Sequence, residues 1–433
     1  MITTLIIALI TFIGITLSIL LFPHIKIKNF TLDTYWLIAL LGAAILLIFS
    51  LVPLDELWKT LTSSSAINPL KILVLFFSMT IISIYLDELG LFKFLAIEAT
   101  KKAGKNQFVL FLIFYLLTSI LTVFTSNDIV ILTLTPFICF FCKNTKINPL
   151  PYLIAEFAGA NTWSMMLIIG NPTNIYLGTS AGITFIEYFK IMWLPTLCAG
   201  LLQIILLVLI FYKKLKQPLE ITEEEFHIDS KLDLFVGIIT LVTCLIFLVI
   251  SSYIDMEMWL ISFIAASSLI IVVLLIRLIT HKHWDYLTSS LKRLPYQLIP
   301  FLLSMFVIVL ALNYQGISSK LGEVLNHEPV IWIYGPTSFI ASNIINNIPM
   351  SILFSTLPNG LDSINYTRAI YSSIIGSNIG AFFTPLGALA GIMFSSLVNK
   401  QNIKFTFLDF TKYGLIIALP TLFTALLTLF FII

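Results

Sequence analysis

Apolar runs of about twenty residues recur along almost the whole chain, and this repetition limits its fold more than any motif does. A run of that length lets a helix cross a bilayer core, where no water is present and each backbone amide must bond within its own segment. The runs lie near 2–22, 33–53, 68–86, 150–180, 191–212, 232–252, 257–278, 297–314, 366–396 and 406–431. Only 11% of residues are charged, against roughly 25% in a soluble domain, and the runs are too long and continuous for barrel strands. The sequence predicts an all-α polytopic membrane protein with about ten spans. The first run lacks a basic leader and a small-residue cleavage site, so it reads as a retained span.

Two further apolar stretches, 107–142 and 329–357, are too long for one helix and carry polar, turn-forming residues at their centres. They read as re-entrant hairpins. Lysine and arginine gather in alternate loops: Lys26 and Lys28, Lys93 to Lys105, Lys143 and Lys146, Lys213 to Lys216, Arg277 to Arg293, and Lys400 with Lys404. The other loops hold Asp55, Glu56, Asp255, Glu257, Glu323, Glu328 and Asp362. With the basic loops placed in the cytoplasm, both termini fall on the extracytoplasmic side and the two hairpins enter from opposite faces. The stretch LDELGLFKFLAIEATKK reads as a helix lying along the inner surface, with Asp87 and Glu88 as surface acids. Arg368 opens the ninth span and reads as a snorkelling residue.

Polar residues repeat along with the hydrophobic pattern. Ser126-Asn127 returns as Ser342-Asn343 after 216 residues, and Gly159-Ala160-Asn161 returns as Gly376-Ser377-Asn378 after 217. LDELGL from Leu86 is echoed by LNYQGI from Leu312. The chain therefore reads as two inverted repeats. Residues 1–32 form a first span and loop, 33–212 the first repeat with hairpin 107–142, 213–256 a charged cytoplasmic linker and an extra span, and 257–433 the second repeat with hairpin 329–357. GNPTNIYLG from Gly170 and GSNIGAFFTPLGALAG from Gly376 put glycine, proline and amide side chains inside apolar spans. Both spans are expected to be broken helices whose freed backbone groups line a polar site near the bilayer midplane.

Intramembrane carboxylates are costly and usually face a cavity, a cation or a proton path. Asp128 follows the first tip, whereas the second tip has Ile344, so the expected site is asymmetric in charge. Glu156 fits either an ion or proton path or an interfacial position. One carboxylate among amides suits Na⁺, a carried proton or a neutral polyhydroxy solute. Cys139 and Cys142 share a helical face and read as packing, with soft-ion binding as the alternative. No nucleophile and base stand at catalytic spacing, no metal-binding motif is present, and a net charge of +2 without a polybasic tract leaves no footprint for nucleic acid. The reading is therefore a non-enzyme without catalytic residues, metal or cofactor.

The segments LDELGLF, TSNDIVILTLTPF, GNPTNI, SNIINNIPMSILF and GSNIGAFFTPLGALAG resemble the ion transporter superfamily of ArsB-type arsenite and antimonite permeases, sodium/proton antiporters, and citrate or dicarboxylate carriers. The resemblance covers nearly the whole chain and implies a secondary transporter, with arsenite or antimonite efflux as the leading substrate class and a citrate or dicarboxylate carrier as the alternative. In the dicarboxylate branch paired Ser-Asn-Thr tips clasp sodium and substrate; here neither tip keeps the threonine. Under this reading Ser126, Asn127, Ser342 and Asn343 meet the solute, and Asn161, Asn171, Thr173, Asn174, Asn378 and Thr384 line the broken helices. Asp128 and Glu156 serve ion or proton coupling. The resemblance further implies a bacterial plasma membrane, a homodimer, and in some relatives a soluble ATPase partner. A non-transporting membrane scaffold is the reading from another class.

Overall fold

The structure, a computed structural model, describes residues 1–22, 24–27, 30–63, 68–217, 228, 230–280, 285–401, 403 and 405–433. Lys28, Lys404 and most of the charged linker, 218–227 and 229, lie outside the described residues.

The fold is a helical bundle in which the order of elements repeats. The first half runs α1 (Ile2–Leu21), α2 (Tyr35–Ile48), α3 (Leu54–Thr62), α4 (Pro69–Glu88), α5 (Leu91–Ala103), α6 (Gln107–Phe124), α7 (Asn127–Asn144), α8 (Leu150–Trp163), α9 (Pro172–Ser180) and α10 (Phe185–Leu215). The second runs α11 (Lys231–Ile250), α12 (Met258–Thr280), α13 (Asp285–Lys292), α14 (Leu298–Tyr314), α15 (Ile317–Leu325), α16 (Val330–Ile345), α17 (Asn347–Phe354), α18 (Ser363–Gly380), α19 (Leu389–Lys400) and α20 (Phe407–Ile432). A short antiparallel pair, β1 (His24–Ile27) and β2 (Phe30–Asp33), joins α1 to α2 where a plain loop was expected.

Among the described residues seven helices are long and apolar enough to cross a membrane: α1, α4, α6, α10, α11, α12 and α20. An eighth candidate is the bent pair α14–α15, turned by 80°. The remaining expected spans are shorter or broken. α2 has 14 residues, and the runs at 150–180 and 366–396 resolve into α8 with α9 and α18 with α19. The stretches read as hairpins fold into the helix pairs α6–α7 and α16–α17, and α6 is itself long enough to cross.

The two halves pack reciprocally. α2 lies against α14 and α12 against α4; α7 lies against α19 and α9 against α17; α10 and α20 lie against each other. α1 packs on α2 as α11 packs on α12, so the correspondence extends one helix beyond 33–212 and 257–433. The LDELGL and LNYQGI echo has a backbone cause: Gly90 and Gly316 have φ of 82° and 69°, a left-handed conformation that lets α5 and α15 turn away from α4 and α14. A second echo was missed in the sequence. Thr184 with Glu187 and Thr406 with Asp409 form capping boxes that start α10 and α20.

α16 and α18 approach most closely through small residues. A Cβ on Gly376 would stand 2.0 Å from Ser338 Oγ, and one on Gly380 would stand 2.2 Å from Ser342 Oγ. Small residues let helix backbones meet in a membrane, where dispersion and hydrogen bonds replace the hydrophobic effect between helices.

Candidate functional site

The first hairpin turns at Thr125 and Ser126. The Thr125 hydroxyl donates to Leu121 O at 2.6 Å and ends α6, and extended Ser126 begins α7. Asn127, the first residue of α7, is buried and donates through Nδ2 to Asn161 Oδ1 on α8 at 3.0 Å. Asn161 Nδ2 donates in turn to Phe157 O at 2.8 Å. Asp128 stands in the first turn of α7, where unsatisfied N–H groups and the helix dipole favour a negative charge.

The second hairpin turns later than the sequence reading placed it. Ser342 and Asn343 lie in the last turn of α16, and the break falls at Asn346, whose φ is +71°. Asparagine tolerates that conformation, and the Asn-Asn-Ile-Pro stretch carried the turn signal. The counterpart of Asn127 by position in its helix is therefore Asn347, the first residue of α17. Its amide nitrogen donates to Gly387 O at 3.0 Å, and its buried side-chain oxygen has no hydrogen-bond partner. Asn343 instead braces the break between α18 and α19. It donates to Gly380 O at 3.0 Å and accepts the Thr384 hydroxyl at 2.6 Å. α1 adds a clamp here, because Thr16 donates to Ile344 O at 2.7 Å.

Asn378 ties the halves together. Its Oδ1 accepts from Ser164 Oγ at 2.8 Å and Asn171 Nδ2 at 2.9 Å. Its Nδ2 donates to Asn174 Oδ1 at 2.6 Å and Ile374 O at 2.8 Å. Asn171 caps α9 by accepting Thr173 N at 3.1 Å, and Ser377 donates to Thr173 Oγ1 at 3.1 Å. All of these side chains are buried. The backbone freed between α8 and α9 is bound from its own half, by Asn174 Nδ2 donating to Ser164 O at 2.8 Å, while Asn378 of the opposite half holds the side chains of Ser164, Asn171 and Asn174, so the buried polar groups are satisfied. Ser164 and Ser377 were missed in the sequence; Ser377 stood within the repeated motif, but Ser164 had no such signal.

Glu156 is buried inside the protein, with only 1% of it exposed. Its two carboxyl oxygens lie 2.9 and 3.0 Å from the Thr135 hydroxyl of α7. Asp87 and Glu88 differ from expectation. Both pair with Arg293, at 2.7 and 2.5 Å, and Asp87 is buried. Arg368 bonds to Ile433 O at 2.8 Å. A further buried pair, Asp233 with Arg277, joins α11 to α12. Cys139 and Cys142 are buried free thiols.

The predicted site residues therefore form three linked clusters: Asn127 with Asn161; Asn171, Thr173 and Asn174 with Asn378; and Asn343 with Thr384. No hydrogen bond joins Asn127 to Asn343 among the described residues. Four helices begin at or beside these clusters, α7, α9, α17 and α19, each bringing the positive end of its dipole, which suits an oxygen-rich solute. A cavity of about 250 Å³ opens elsewhere, lined by Lys71, Thr179, Thr184, Asp255, Glu257 and Trp259 among others.

The family described as citrate transporter (CitMHS) matches residues 34–376. An arsenical pump membrane protein of Escherichia coli is 25% identical over 412 residues, covering 90% of this chain and 92% of that one. A 46 kDa membrane protein of Mycobacterium leprae is 23% identical over 398 residues, covering 88% and 89%. The YdaH transporter of Alcanivorax borkumensis, a solved structure, superposes with a TM-score of 0.52 at 12% identity, covering 99% and 97%. That last likeness concerns the fold alone.

Proposed function

The chain belongs to the citrate transporter family, and from that premise we propose that it is a secondary active transporter of a small inorganic oxyacid, with arsenite or antimonite as the substrate class. Transport runs outward across the plasma membrane and is driven by a proton or ion gradient. Relatives named as arsenical pump membrane proteins, aligned over nine-tenths of the chain, support the substrate. The observation that carries the mechanism is the amide cluster where α7, α9, α17 and α19 begin. A hydroxyl-bearing oxyacid donates its O–H groups to amide oxygens and accepts from amide N–H groups and helix N-termini.

In this reading the halves are inverted repeats, both termini face outward, Asn127 and Asn343 meet the solute, and Asp128 carries the proton or cation. Reciprocal packing of α7 with α19 and α9 with α17 supports the repeat. A second reading, sodium-coupled uptake of citrate or another carboxylate, has the family description in its favour, and the unpartnered Asn347 oxygen is an acceptor suited to Na⁺.

The test is arsenite accumulation in everted vesicles energised with a proton gradient, comparing the intact chain with Asn127→Ala at matched expression. Uptake above empty membranes that is lost in the variant is the expected result. Inserted protein without arsenite uptake, but with sodium-dependent citrate uptake, replaces this reading by the second.

A further inference from the structure

We propose that Glu156 carries a proton in the transport cycle and that its protonation closes the seam between α7 and α8. The inference deepens the reading as an ion-coupled transporter and rests on it. Glu156 is wholly enclosed, and the Thr135 hydroxyl is the polar group that meets it. A hydroxyl has one proton, so contacts at 2.9 and 3.0 Å to both carboxyl oxygens are both satisfied when the acid keeps its own proton. Thr135 then donates to one oxygen and accepts from the other.

Nothing nearby offsets a charge. α7 presents Thr135 and the Cys139 thiol; α6 brings Tyr115, whose hydroxyl donates to Gly200 O at 2.8 Å; and Tyr152 on α8 itself reaches Gln107. Among the described residues α10, α18 and α20 bring no cation into ion-pair reach. A carboxylate left in such a place without a partner is strongly unfavourable.

The location gives the proton a consequence. The α7–α8 seam has two polar fastenings, Thr135 to Glu156 and Asn127 to Asn161, and the second holds the hairpin tip. When the carboxyl O–H bond breaks and its proton passes to water, the charge left in the seam drives α7 from α8 and frees the tip. Reprotonation restores the fastening. In the other half the corresponding residues, Ser355 and Ser373, donate to their own helices at 2.8 and 2.7 Å, so only the first seam carries an acid.

Purified full-length protein in lipid, compared as intact chain, Glu156→Gln and Thr135→Val, tests the assignment without any substrate. Infrared difference spectra between mildly acidic and alkaline buffer should show a carboxylic-acid carbonyl band that vanishes in Glu156→Gln and shifts upward in Thr135→Val. The same proteins in proteoliposomes are then given arsenite. Glu156→Gln, which keeps the shape of the protonated acid, should retain arsenite counterflow but lose accumulation driven by a pH gradient. Full gradient-driven accumulation by Glu156→Gln, or no acid band assignable to Glu156, overturns the proposal. If the intact chain moves no arsenite, the substrate reading fails, and the infrared band alone decides the protonation site.

Discussion

Replacing Asn378 by alanine removes four hydrogen bonds, three of which reach the opposite half through Ser164, Asn171 and Asn174. At roughly 0.6 kcal/mol for each interhelical bond in a membrane bundle, these three supply about 2 kcal/mol. The Asn171 and Asn174 amides then stay buried with one partner fewer, adding roughly 1 kcal/mol or somewhat more in all. The expected loss is therefore about 3 kcal/mol, near a hundredfold in the folding equilibrium at about 1.4 kcal/mol per tenfold. Unfolding of the purified protein by SDS titration in mixed micelles, against the intact chain, measures it. A double-mutant cycle with Asn171→Ala separates this cluster from a general loss of packing, because residues sharing one network must fail to add. A loss under about 1 kcal/mol, or strict additivity with Asn171→Ala, would refute the view that this amide organises the break between α8 and α9.

Asp128→Asn should leave the protein inserted while abolishing gradient-coupled flux, read as arsenite accumulation with and without the imposed gradient. Arg277→Ala strands the buried Asp233 carboxylate between α11 and α12 and should cost about 3–5 kcal/mol in the same SDS titration; Arg277→Ala with Asp233→Ala should recover much of that. Asp409 accepts from the Thr406 hydroxyl at 2.7 Å and from the Thr406 amide at 3.0 Å. Thr406→Ala removes this cap and should cost roughly 1 kcal/mol in the same SDS titration; no measurable loss would show that the capping box does not help to start α20.

By itself the chain determined its class and much of its layout. Runs of about twenty apolar residues require helices in lipid, and polar residues repeated at shifts of 216 and 217 marked the hairpins and broken helices. Asn161 and Asn378 stood out because amides are rare at that depth, and both lie inside the clusters. The second turn was displaced because sequence identity aligned Ser342-Asn343 with Ser126-Asn127, whereas helix geometry aligns Asn346-Asn347 with them.

Partnership belonged to the tertiary structure. Asn378 meets Ser164 over 214 residues of chain, Asp87 meets Arg293, and Thr135 meets Glu156 from a neighbouring helix. A side chain's own neighbours set whether it can sit in a helix, and therefore whether the chain breaks there. Which distant group satisfies it depends on how the two halves pack, and no local pattern records that.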